Sequence, residues 1–276
     1  MMTNEKPPIW GDRLTKMKEP APLQDMGSRA PSPFGYKMLP ALVPVDNWED
    51  FEKVFLDDEH LTARRILNGD QDQPAQAVFD VLRTKLLQTL RERGWNRVGI
   101  TSPTKGCGKT FVATNLALSL ARLERSRTIL IDMDLRDPGL ADTLGISYPG
   151  TLRHFLSGEQ RGADFLLKIG ENLVVGLNDK PEPEAAELLQ RARTGDTLEI
   201  MCNDLEPDVV LYDLPPALQN DDVLSFLPQV DGVLLVIGGG KTKAADVRKV
   251  EKLLGDQVPL LGVILNCDES ISSSLF

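Results

Sequence analysis

The chain has 276 residues, 41% of them apolar and 26% charged, with a formal net charge of −10. That composition suits a globular protein with one sizeable core, with or without an appendage. The acidic balance argues against a nonspecific nucleic-acid or anionic-membrane binder. The one basic cluster, Arg122, Arg125 and Arg127, suits a helix C-terminus. Three cysteines without a C-x-x-C pair, and two distant histidines, His60 and His154, argue against zinc and fit a reducing compartment. No apolar run reaches the roughly 18 residues of a membrane span. The first residues carry charges and prolines where a signal peptide needs an apolar stretch.

The first 44 residues hold eight of the 19 prolines and show no periodicity that would bury a face. Residues 48–67 place apolar side chains at Trp48, Phe51, Val54 and Phe55, then Leu61, Ile66 and Leu67. That spacing predicts one or two short amphipathic helices, whose exposed faces are candidates for a partner contact. Polar residues 68–74 break the pattern. We therefore expect an irregular extension over residues 1–74 and a folded domain over 75–276.

From Ala75, residues Val78, Leu82, Leu86, Leu87 and Leu90 make one helical face that ends near Gly94. Strands are predicted over 98–101, 128–132, 173–177, 208–213, 232–237 and 260–265. Helices are predicted over 110–123, 184–202 and 244–254. Near-continuous apolar strands between helices predict an α/β fold, with a mostly parallel sheet covered by helices on both faces. Ligands of such sheets sit at the carboxyl ends of the strands.

The segment Thr101-Ser-Pro-Thr-Lys-Gly-Cys-Gly-Lys-Thr110 follows a predicted strand and opens a helix. Gly108, Lys109 and Thr110 fit the phosphate-loop pattern G-x-x-x-x-G-K-[ST], and Pro103 stands where the first Gly belongs. Gly106 and Gly108 allow successive backbone N–H groups to turn inward around phosphate oxygens. The helix N-terminus adds positive potential. In that geometry Lys109 reaches the β- and γ-phosphates of ATP and the Thr110 hydroxyl meets Mg²⁺. Asp132 and Asp134 stand at the tip of the second predicted strand, and their period-2 spacing points both to one side. Asp213 ends the fourth. Carboxylates at these tips are the hard oxygen ligands Mg²⁺ needs, although each is also an ordinary cap or turn residue.

Three motifs point to a family. Ser102-Pro-Thr-Lys-Gly-Cys-Gly-Lys-Thr110, Ile131-Asp-Met-Asp-Leu-Arg-Asp-Pro138 and Tyr212-Asp-Leu-Pro-Pro216 resemble S-P-x-P-G-E-G-K-S/T, D-x-D-x-R-x-P and D-x-P-P. Residues 75–268 thus resemble the ATPase domain of the bacterial protein-tyrosine kinases that control capsule and exopolysaccharide export, a branch of the ParA/MinD-type P-loop ATPases. The resemblance implies a P-loop NTPase fold with ATP and Mg²⁺ as cofactors. It implies Lys109 and Asp132 as catalytic residues. It implies Lys105, Gly106, Cys107, Gly108, Lys109, Thr110 and Phe111 in the nucleotide loop, Arg136 as a contact to phosphate or to a neighbouring subunit, and Asn266 as an adenine contact or a strand-end turn residue. Thr110, Asp132, Asp134 and Asp213 would hold the metal. It also implies a cytoplasmic protein, recruited to the inner face of the membrane by a polysaccharide co-polymerase or modulator, with a homo-oligomer as an option and no nucleic acid.

The chain departs from the family pattern in three places. Residues 268–276 contain serines and no tyrosine, where the family carries a tyrosine cluster. The tyrosines are Tyr36, Tyr148 and Tyr212, the last in a buried strand pattern. The ring-forming E-x-x-R-x-x-R corresponds to Ala77, Asp80 and Arg83. Lys105 and Cys107 replace Pro and Glu, and Cys107 reads as a small spacer or as a low-pKa thiol. Three functions stay open: a tyrosine kinase of the polysaccharide type, an ATP-switched regulatory ATPase docking to a membrane partner, and a ParA/MinD-type positioning ATPase.

Overall fold

In the computed structural model, eight strands form one sheet: β1 (Glu52–Val54), β2 (Arg97–Thr101), β3 (Thr128–Asp132), β4 (Leu167–Ile169), β5 (Leu173–Gly176), β6 (Val209–Asp213), β7 (Gly232–Gly238) and β8 (Leu260–Asn266). Their spatial order is β1-β4-β5-β3-β6-β2-β7-β8. Every neighbouring pair is parallel except β4 and β5. The structure describes residues 47–67, 74–147 and 150–267, which belong to one compact unit. Tyr36, Tyr148, most of the Pro-rich extension and the serine-containing tail lie outside the described residues.

The central strands β2, β3, β5 and β6 are buried along their whole length. Helices cover both faces, as a sheet without a solvated side requires. One face packs α2 (Pro74–Arg93), α3 (Lys109–Ala121) and α4 (Leu140–Leu144) around Ile100, Leu116, Leu130 and Leu211. The other packs α5 (Leu152–Leu156), α6 (Ala185–Gln190), α7 (Ala192–Leu205), α8 (Asp222–Phe226) and α9 (Ala244–Leu254) around Ile131, Val210, Tyr212 and Leu235. No helix among the described residues is long and apolar enough to cross a membrane.

Three expectations need correction. Residues 48–67, expected as one or two short amphipathic helices, hold one helix, α1 (Asp58–Ala63), but their first half forms strand β1. They are also part of the domain: β1 adds to the sheet beside β4, and Trp48, Phe51, Leu61 and Ile66 are 1–5% exposed. The apolar residues that suggested a partner-facing helix are spent on the core, except Phe55, which is 95% exposed. Second, the helix expected over 184–202 breaks at Arg191, whose backbone is extended (φ −65°, ψ 132°). The Thr194 hydroxyl donates to the Leu188 carbonyl at 2.7 Å and satisfies a group near the break. Third, the sheet has eight strands where six were expected. Strands β1 and β4 are three residues long, too short for a readable alternation.

Sheet register builds the site. Strand β6 lies between β3 and β2, and pairing sets Asp132 opposite Asp213 and Asp213 opposite Ile100. Two acidic strand tips therefore meet one residue before the loop that leaves β2.

Candidate active site

The loop from Ser102 to Gly108 ends on α3 with Gly106 and Gly108 in the left-handed region, at φ +81° and +85°. Only glycine adopts such angles freely. Gly108 has a second reason: a Cβ there would collide with the Asn266 side-chain amide, which donates to the Cys107 carbonyl at 2.9 Å. Asn266 at the end of β8 thus braces the loop from beneath.

Lys109 and Thr110 open α3 at the acidic strand tips. Lys109 Nζ lies 2.8 Å from Asp134 Oδ2 and 3.5 Å from Asp213 Oδ1. The Thr110 hydroxyl donates to Asp213 Oδ2 at 2.6 Å. Asp132, fully buried, accepts from Gly139 N and Leu140 N on Oδ2, both at 3.0 Å, and from Asp134 N on Oδ1 at 3.2 Å. Burial, reinforced by the Asp213 charge, pushes the Asp132 carboxyl up to about 8. Burial also raises Asp213, although Lys109 and Thr110 oppose it. For Lys109, burial favours the neutral amine, but Asp213 and Asp134 outweigh it and raise the pKa.

A cleft of about 530 Å³ opens over this group. Its walls include Lys105, Gly106, Gly108, Lys109, Thr110, Asp134, Arg136 and Asn220. Asp132 and Asp213 are fully buried and bonded to residues of its wall, Gly139 and Thr110. The side chains of Cys107, Phe111 and Asn266 do not line the cleft. Cys107 Sγ is buried against Thr242 Oγ1 at 3.5 Å and Thr104 Oγ1 at 3.7 Å. Burial pushes this thiol up, but bonds to Thr242 and Thr104 prevail and lower it. The Phe111 ring packs edge-on against Phe79. Arg136 lines the cleft but is tied by a bidentate pair, 2.7 and 3.0 Å, to Asp222.

Hard oxygens gather at the cleft floor, the Thr110 hydroxyl and the carboxylates of Asp134 and Asp213 with Asp132 behind them, and Asp213 Oδ1 is buried without a hydrogen-bond partner among the described residues. No three acidic, His or Cys side chains among the described residues form a metal-holding group by themselves, so a Mg²⁺ here would draw its remaining ligands from phosphate and water. Two left-handed glycines before a helix N-terminus fit a polyphosphate.

The chain matches no family model. Over 210 residues, 74% of this chain and 88% of the relative, it is 30% identical to the tyrosine-protein kinase CpsD of Streptococcus agalactiae. The chain belongs to the bacterial tyrosine-protein kinases. The solved kinase domain of the Escherichia coli tyrosine kinase Etk is 26% identical, with a TM-score of 0.65 over 81% of this chain and 91% of that one. The septum site-determining protein MinD of Pyrococcus horikoshii, complexed with Mg-ADP, is 25% identical, with a TM-score of 0.53 over 62% and 70%. A Mg-nucleotide is thus held by a P-loop ATPase of the same fold.

In this kinase the helix positions matching the family's ring motif are engaged within the chain. Asp80 on α2 pairs with Arg122 and, at 3.1 Å, with Arg83, which also donates to the Ser119 carbonyl at 2.8 Å. Sequence reasoning missed Asp222, the partner of Arg136, and Lys241, whose Nζ donates to the Gly106 carbonyl at 3.3 Å. Neither carries a local signal: both come from loops or helices remote in sequence. It also missed the Gly139 and Leu140 amides, although Pro138-Gly139 directly follows the second motif.

Proposed function

We propose that this chain is an ATP- and Mg²⁺-dependent protein-tyrosine kinase acting in capsule or exopolysaccharide production, with the cluster around Lys109 as its active site. The observation that carries the reading is the convergence of Lys109, Thr110, Asp132, Asp134 and Asp213 under a glycine-shaped loop. Backbone amides from Gly106 to Thr110 bind the triphosphate. Lys109 exchanges its contact with Asp134 for phosphate oxygens. Thr110, Asp134 and Asp213, with Asp132 behind them, would hold Mg²⁺, which when bound would neutralise charge on the phosphates. The bond that forms joins the tyrosine oxygen to the γ-phosphorus. The bond that breaks joins that phosphorus to the bridging oxygen, and ADP leaves. Asp132 takes the hydroxyl proton in its ionised form, which a Mg²⁺ bound beside it would favour. Arg136, Lys105 and the Asn266-braced loop complete the nucleotide contacts.

A second reading, an ATP-switched regulator, is favoured by Tyr212, which is fully buried and unfit as an acceptor. Under the kinase reading the acceptor is a tyrosine other than Tyr212, such as Tyr36, Tyr148 or one on another protein. The partner we propose is a membrane-bound polysaccharide co-polymerase or modulator that brings the kinase to the inner face of the membrane. Incubation with Mg-ATP, with and without the cytoplasmic part of such a partner, followed by mass spectrometry, tests this. Phosphotyrosine is expected. ATP turnover with no phosphotyrosine in either condition would leave the switch as the better account.

A further inference from the structure

Helix α1 reaches the active site by two routes. His60 Nε2 meets the Asp142 carbonyl oxygen at 2.8 Å, which requires a proton on that nitrogen. Arg64 Nη2 donates to Asp142 Oδ1 at 2.6 Å. The His60 ring also sits on Gly145, at φ +72°, so closely that a Cβ there would lie 2.8 Å from its Cδ2. Asp142 belongs to α4 and Gly145 caps it. The amides at the other end of α4, Gly139 N and Leu140 N, are the groups that hold Asp132 Oδ2. On the second route, Leu67 N donates at 2.8 Å to Asn115 Oδ1, a buried side chain of α3, whose first turn carries Lys109 and Thr110.

Helix α4 has five residues. A helix of that length has no stability of its own, so its position is set by what packs on it. Leu140 and Leu144 fix it on the sheet side. The polar grip comes from α1, which Leu61 and Ile66 anchor in the domain.

We propose that His60 and Arg64 are positioning residues for phosphoryl transfer: through Asp142 they hold α4 where Gly139 and Leu140 orient the Asp132 carboxylate. The kinetic half of this inference rests on the kinase reading, and the structural half does not. It also gives residues 47–67 a role: an element that engages this segment would act on Asp132 without entering the cleft.

Two measurements on the full chain test it. Hydrogen exchange reads the peptide spanning Asp137 to Thr143, and steady-state kinetics reads kcat and KM for ATP. His60→Ala and Arg64→Ala are expected to speed exchange at Gly139 and Leu140. They are expected to lower kcat about tenfold and leave KM for ATP within about twofold. His60→Gln keeps a donor for the Asp142 carbonyl and is expected to retain near-wild-type kcat. Lys53→Ala, which cuts an exposed ion pair with Glu171 elsewhere in the same segment, is expected to change neither readout. Unchanged exchange in both alanine variants would overturn the proposal whatever the activity. Faster exchange with undiminished kcat would overturn it too, as would an equal fall in His60→Gln. If the wild-type chain neither turns over ATP nor transfers phosphate, the kinase reading fails, and exchange alone decides whether α1 holds α4.

Discussion

Lys109 Nζ and Asp134 Oδ2 lie 2.8 Å apart, with Lys109 and Asp134 both nearly excluded from solvent. The lysine is the only cation bonded to a cluster of three buried carboxylates, Asp132, Asp134 and Asp213, among the described residues. Deleting one partner of a buried ion pair leaves uncompensated charge and costs more than the pair itself contributes. Lys109→Met is therefore expected to destabilise the fold by roughly 3–5 kcal/mol as well as abolish turnover. Denaturant unfolding checks this; wild-type stability in Lys109→Met would mean that the carboxylates are not charged against it.

The bond from Thr110 to Asp213, at 2.6 Å, holds together two of the metal ligands we propose. Thr110→Ala removes one and frees the other. The expected outcome is a need for roughly ten to a hundredfold more Mg²⁺ at saturating ATP. A titration of activity against Mg²⁺ reads this, and an unshifted midpoint would remove Thr110 from the metal site.

Much of this site was legible in the sequence because its signals are local. Gly106 and Gly108 are glycines for a reason the loop itself imposes. Asp132 and Asp213 end apolar strands, and a strand between helices announces a parallel sheet. What was not legible depends on pairing across the chain. Arg136 is held by Asp222, 86 residues away. Asn266, read as a candidate adenine contact or a strand-end turn, braces the loop through Cys107, 159 residues away. Trp48 and Phe51 read as an amphipathic face because nothing in residues 48–67 reveals that β4 offers a sheet edge.

Glu182 provides a pH test away from the cleft. Its Oε1 accepts from Arg153 Nη1 at 2.6 Å and from Glu184 N at 3.0 Å. Burial pushes this carboxyl up, but Arg153 and the amide outweigh it, so its pKa lies below 4.5. A carboxyl depressed in the folded state contributes stability above the unfolded value, and that stability disappears as pH falls through the folded one. Glu182→Gln is expected to cost about 1–2 kcal/mol at pH 7. The gap from wild type should narrow as pH falls through the depressed folded pKa of Glu182. A pH series of denaturant melts checks the sign; a gap that widens in acid would contradict it.

Tyr212 packs edge-on against Phe226 with ring centroids 4.9 Å apart, and its buried hydroxyl meets only the weak Cys202 thiol, with no hydrogen bond of good geometry among the described residues. Removing an unsatisfied buried hydroxyl relieves a desolvation cost. Tyr212→Phe is thus expected to match or exceed wild-type stability and to leave phosphotyrosine content unchanged. Loss of phosphotyrosine in that variant would place the acceptor in the core strand.

The central claim is that the cluster around Lys109 transfers the γ-phosphate to tyrosine. Its most direct test follows labelled γ-phosphate from Mg-ATP onto tyrosine in the wild-type chain and in Lys109→Arg, which keeps a cation among the carboxylates. Label on tyrosine in the wild type, and none in a folded Lys109→Arg, is the result predicted. Equal labelling in the two would contradict it.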